Sequence, residues 1–212
     1  MIRVTRSPKP AALARNQAVW TRALLGATTA AQRKRTEKKY RHREVKETLV
    51  SMFHGKCAYC ESKVLHIDYG HIEHFRPKSH AVFRDLTFEW TNLLLSCPVC
   101  NGAEYKGDHF PDATVGGPLI NPCDDNPETH FEFVFDSTAR LATLIGKTPR
   151  GETTVKILGL NRPDLRAYRS KLIMQLYVLS DYSATDPIAR ALLEDACKDD
   201  AEYAAFARML SG

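Results

Sequence analysis

The chain has 212 residues, 43% of them hydrophobic and 26% charged, which is the make-up of a globular protein with a packed core. No apolar run approaches the ~18–20 residues of a membrane span, which excludes a spanning protein of the helical kind. The net charge of +5 is uneven: residues 1–56 hold 14 Lys/Arg against 3 Asp/Glu, a net +11, and the remainder is acidic at −6. That split points to a polyanion or an acidic partner for the N-terminal part.

In chain order, MIRVTRSPKP carries no apolar leader, so a cytoplasmic protein is expected. The stretch KPAALARNQAVWTRALL spaces its apolar residues as a helix that Gly26 ends. A second helix is expected from about Ala30 to His54, charged in its first half and amphipathic in its second. A first strand is expected within KVLHIDYGHIEHF, a loop over RPKSHAVFRDLTFEW, and a second strand at NLLLS. A helix follows from about Cys97 to Gly107. The Pro-, Gly- and Asp-rich run PDATVGGPLINPCDDNPETH reads as loop. FEFVF (131–135) and RLATLIG (140–146), either side of DSTA, form a β-hairpin. A short helix near Glu152 comes next, then one capped by Asn161 with Pro163 in its first turn, and a last helix from about Asp186. This gives three regions: a basic helical segment (1–56), a ββα core (57–110), and a loop, hairpin and helical region (111–212). The fold class is α+β, mainly helical.

Cys57-Ala-Tyr-Cys60 and Cys97-Pro-Val-Cys100 are two CxxC units, 36 residues apart. A CxxC turn brings two thiolates to one side, and two such turns give the four-sulfur tetrahedron that structural zinc takes. Such a site is closed and cannot activate water, so any chemistry belongs to other residues. A thioredoxin-type redox pair would need a βαβ context that is not evident.

GHIEHFRPKS offers an acid and an imidazole side by side. Hydrolysis of a phosphodiester needs a base for water and a cation for the phosphate. His74 suits the base, and Glu73 is a hard oxygen ligand for Mg²⁺. Asn101 offers an amide oxygen to the same ion. Asn92 can bridge the intervening loop through its backbone and so orient His74. Strand neighbours point to opposite faces, so Glu73 and His74 share a site only where the strand ends or bulges. His71, one strand repeat from Glu73, can line the same site. Arg76, Lys78 and Lys106 are candidate phosphate contacts. The basic residues Arg33, Lys34, Arg35, Lys38, Lys39, Arg41 and Arg43 read equally as a phosphate-binding stripe or a partner surface.

These segments, IEHFRPKS, WTNLLLSC and CPVCNGAEYKGDHFP, resemble the HNH (ββα-metal) nuclease family. The resemblance implies a catalytic His74, metal ligands Glu73 and Asn101, and a supporting Asn92. CAYCE, KGDHFP, LINPCDDNP, MIRVTRSP and GLNRPDL extend it, in order along nearly the whole chain, to the HNH subunits of Septu anti-phage systems, also found in some retrons. That likeness implies an endonuclease effector with structural Zn²⁺ and catalytic Mg²⁺ or another divalent cation. It also implies a PtuA-like ATPase subunit as partner, and a nucleic acid substrate, DNA ahead of RNA. A retron setting would add retron RNA/DNA and a reverse transcriptase. The competing reading is a zinc-stabilised module that binds nucleic acid or a partner without catalysis.

Overall fold

A computed structural model describes residues 1–211. The chain divides into two compact units. One holds Val4–Ala58 and Val64–Phe110; the other holds Met1–Arg3, Tyr59–Lys63 and the chain from Pro111 onward. Among the described residues no helix is long and apolar enough to cross a membrane.

The first unit opens with α1 (Ala11–Leu25), which buries Ala12, Leu13 and Leu24. The single helix expected over 30–54 is broken. Thr29 and Gln32 form a capping box that starts α2 (Ala30–Glu37), a 3₁₀ turn covers Lys38–Arg41, and His42 turns extended. There the His42 ring accepts the Glu44 N–H and caps α3 (Arg43–Met52), whose Val45, Leu49 and Met52 face the core. The physical reason is that α2 has almost no apolar stripe to hold it against the core, whereas α3 has one.

Two short strands, β1 (His71–His74) and β2 (Leu93–Ser96), pair antiparallel, with Glu73 opposite Leu94 and His74 opposite Leu93. The first strand is shorter than KVLHIDYGHIEHF suggests because Gly70 sits at φ +67°, which turns the chain before His71. The loop between the strands is built of 3₁₀ turns, Ala81–Phe88 and Trp90–Asn92. Leu93, Leu94 and Leu95 are fully buried, and α3 packs on β2. Arg6 closes the outer end by donating to the carbonyls of Trp90, Thr91 and Leu93. The helix expected after Cys97 is instead a run of turns over 98–108. It has one α-type bond, Asn101 N–H to the Cys97 carbonyl, and mostly tighter ones beyond. Pro98, Gly102 and Gly107 (φ +42°) account for this.

In the second unit β3 (Phe131–Asp136) and β4 (Leu141–Gly146) form the expected hairpin, preceded by the one-turn helix α4 (Pro127–His130). Helices α5 (Pro149–Ile157) and α6 (Pro163–Tyr182) follow. Asn161 does not cap α6; its amide exchanges two hydrogen bonds with the backbone of Leu144 and accepts from Arg169, stitching β4 instead. The buried Arg169 guanidinium also donates to the carbonyls of Ala142 and Leu160 and lies 4.6 Å over the Phe206 ring. The helix expected from about Asp186 starts there, with Asp186 as its cap, but it is two, α7 (Pro187–Ala196) and α8 (Ala204–Ser211), separated by the charged LysAspAsp run and by Tyr203 at φ +52°.

Candidate active site

The sulfurs of Cys57, Cys60, Cys97 and Cys100 lie within 4.8 Å of one another, and all four residues are buried. Each CxxC bends on itself; in the second, the Cys100 N–H donates to the Cys97 sulfur at 3.3 Å. The Ser62 hydroxyl stands 3.3 Å from the Cys60 sulfur. Amide and hydroxyl groups turned to sulfur stabilise thiolates, and four convergent soft ligands are the donor set that zinc prefers. The cluster can therefore hold a metal ion. Cys123 and Cys197 lie outside it.

β1 ends at His74, and that ending resolves the two-face difficulty. Glu73 and His74 both line one small cleft of about 100 Å³, with Tyr40, Ile72, Pro77, Lys78, Ser79, Asn101 and Gly107. His74 is 5% exposed, and its Nε2 lies 3.0 Å from the Thr87 carbonyl oxygen. A carbonyl only accepts, so Nε2 carries the hydrogen and Nδ1 keeps its lone pair. The Tyr40 ring meets the imidazole edge-on, with centroids 4.5 Å apart. Burial above all, then the nearby Lys78 ammonium, pushes the His74 pKa from 6.5 down to about 3; the Thr87 carbonyl opposes this and Lys106 adds to it. The imidazole is thus held neutral.

Glu73, 4% exposed, accepts from the Lys106 ammonium at 2.5 Å. Lys106 also donates to the His74 carbonyl at 3.0 Å. Expected as a candidate phosphate contact, Lys106 lies instead at 1% exposure, as the buried cation that holds the Glu-His dipeptide. Lys78 is half-buried at the cleft with its ammonium over the Tyr40 ring. Arg76 is exposed and reaches over Phe110.

Asn92, 2% exposed, accepts the Arg76 N–H through Oδ1 and donates to the carbonyls of Arg76 and Leu86. It does not line the cleft. It locks the two ends of the 76–92 loop, and that loop presents the Thr87 carbonyl to His74. Asn101 donates its amide to Nδ1 of His71 at 3.1 Å, which directs its oxygen elsewhere. A carboxylate and an amide oxygen on one cleft are hard donors of the kind a divalent cation such as Mg²⁺ takes, since that ion needs only one or two protein oxygens beside its waters. Asp108 and His109 are exposed and outside the cleft.

Two residues of the cleft region escaped the sequence reading. Tyr40 was one aromatic in a charged run, and Lys46 one lysine on an amphipathic helix. The only available signal was the apolar Tyr40 within KKYRHR, a residue that such a run does not need on a solvated face.

The HNH endonuclease family profile matches residues 57–107. The chain is 32% identical over 201 residues to the Septu protein PtuB of Bacillus mycoides, an alignment covering 81% of this chain and 67% of that one. It is 37% identical over 130 residues to the Septu protein PtuB of Bacillus thuringiensis, covering 61% of this chain and 46% of that one. It is 29% identical over 140 residues to the Retron Vc95 putative HNH endonuclease of Vibrio cholerae, covering 64% and 66%. The chain therefore spans two thirds of the first relative's length and under half of the second's.

Proposed function

Because this chain belongs to the family of Septu PtuB proteins and carries an HNH endonuclease domain, we propose that it is a metal-dependent endonuclease, the effector of an anti-phage system that works with an ATPase subunit. The observation that carries this is the common cleft of Glu73, His74 and Asn101, with the imidazole pinned by the Thr87 carbonyl. Glu73 and Asn101 would hold a divalent cation, which supplies charge neutralisation at the phosphate and the leaving oxygen. His74 takes a proton from the attacking water at Nδ1, because Nε2 is committed to Thr87. Burial keeps that nitrogen unprotonated at working pH. Lys106 holds the Glu73 carboxylate in place. Asn92 acts one step removed, through the loop that carries Thr87. Zinc in the four-cysteine cluster would fix the turns that carry Asn101.

The Septu kinship of the relatives supports the ATPase partner, and the retron relative supports a second genomic setting for the same subunit. The test uses the chain co-purified with its ATPase partner, incubated with plasmid, single-stranded DNA and total RNA, with and without Mg²⁺ and ATP. Mg²⁺-dependent products are expected, and His74→Ala should abolish them with zinc content and folding unchanged. Binding without products under every condition, or cleavage by His74→Ala at the parental rate, would sink the proposal and favour a module that only binds.

A further inference from the structure

A second cleft, of about 370 Å³, opens beside the first and is lined by Tyr40, Arg41, Lys46, Gly70, His71, Ile72 and Asn101. The two share Tyr40, Ile72 and Asn101, so they are parts of one groove. No carboxylate lines this second part, whereas Arg41 and Lys46 do. Among the described residues Arg41 spends only its Nε–H on a hydrogen bond, donating to the Tyr40 hydroxyl at 3.1 Å. The planar guanidinium thus keeps its outer N–H groups for an anion. Lys46, half-buried on α3, donates one hydrogen to the Gly70 carbonyl at 2.6 Å, which anchors the ammonium and leaves two of its three donors. Asp68, whose charge acts on Lys46, accepts the Gly70 N–H at 2.6 Å and lies outside the lining. His71 accepts the Asn101 amide at Nδ1, so a neutral ring presents Nε2–H as a third donor.

We propose that Arg41 and Lys46, with His71, form an anion subsite that holds the phosphodiester flanking the one to be cut. This rests on the nuclease reading above. Arg41 and Lys46 lie outside the 57–107 span matched by the family profile, so the basic N-terminal segment completes the substrate groove of a core that places no Lys or Arg of its own there. The structure also sorts the N-terminal basic stripe: Lys39 lies over the Trp20 ring, Arg35 is exposed on α2, and Arg41 reaches the groove. Tyr40 is buried and offers no stacking face, so the subsite reads phosphate and not base, and confers affinity without sequence choice.

The experiment measures binding of labelled single-stranded DNA and RNA of one sequence to the full-length His74→Ala protein across a salt series. The same is done with Arg41→Gln, Lys46→Gln or, as a control, Arg35→Gln added. Each groove variant should weaken binding several-fold and flatten the plot of log K against log salt by about 0.7, the contribution of one phosphate contact on a single strand. Arg35→Gln should leave both unchanged, and zinc content should match the parent in all variants. Equal losses with DNA and RNA establish a phosphate-only subsite; a loss confined to one polymer establishes the subsite and names its substrate. Unchanged affinity and slope in both groove variants would overturn the proposal, as would a parent that binds neither polymer. Should the wild type cleave nothing while the groove variants still lose binding, the subsite stands and the hydrolytic reading falls.

Discussion

His74 is where sequence and geometry meet most closely. An acid-His pair followed by a proline suggested a catalytic dipeptide; what residue types could not show is that the imidazole is buried and tied at Nε2. The consequence is measurable. In the unfolded chain this ring titrates near 6.5, whereas in the fold its pKa is about 3, so between those values the unfolded state binds a proton that the folded state refuses. Its contribution to stability is complete above about pH 6.5 and falls as the pH drops toward 3, by at most ~1.4 kcal/mol per pH unit. The urea midpoint of the wild type should therefore drop more between pH 7 and pH 5 than that of His74→Gln. Equal drops would mean that the ring is not held neutral. Lys106 shows the opposite limit of sequence reading. A lysine in GAEYKGDHF reads as a surface cation, and only the pairing of 98–108 against β1 reveals it beneath Glu73.

At the scale of elements, legibility followed the strength of the local signal. The β3–β4 hairpin was readable because FEFVF and RLATLIG are β-prone and DSTA between them turns the chain. The break of the second helix at His42 was not readable, since charged residues with good helix propensity run straight through it and the decision belongs to the core. Asn161 looked like a cap because it precedes Arg-Pro, yet its amide pairs with the N–H and C=O of the buried Leu144 on β4. The join between β4 and α5 is the tightest of these contacts. A Cβ built on Gly151 would stand 2.2 Å from the His130 carbonyl oxygen, and one on Gly146 would stand 2.2 Å from the Glu152 nitrogen. Gly151→Ala should therefore cost ~1–3 kcal/mol despite the better helix propensity of alanine. Denaturant unfolding checks this, and a stabilised Gly151→Ala would show that α5 can pull away from the hairpin freely.

At the scale of the molecule, the matched family span of 57–107 is not a structural unit by itself. β2 rests on α3, Arg6 satisfies three carbonyls of the 90–93 turn, and Tyr40 covers His74, so the basic N-terminal segment supplies walls to the core it precedes. A fragment of residues 57–110 with zinc should accordingly show the poorly dispersed amide spectrum of an unfolded chain, whereas a well-dispersed spectrum would show that the core stands alone. The charge split read from composition pointed to a polyanion or an acidic partner, and which cations of that segment line the groove needed the fold. The central claim remains that Glu73 and Asn101 hold one divalent ion beside a histidine that does not ligate it. Binding of Mn²⁺ to the zinc-loaded, full-length protein, followed by electron paramagnetic resonance, tests that claim most directly. One Mn²⁺ per chain is expected, lost in Glu73→Gln and in Asn101→Ala and retained in His74→Ala; undiminished binding in the first two variants would contradict the account.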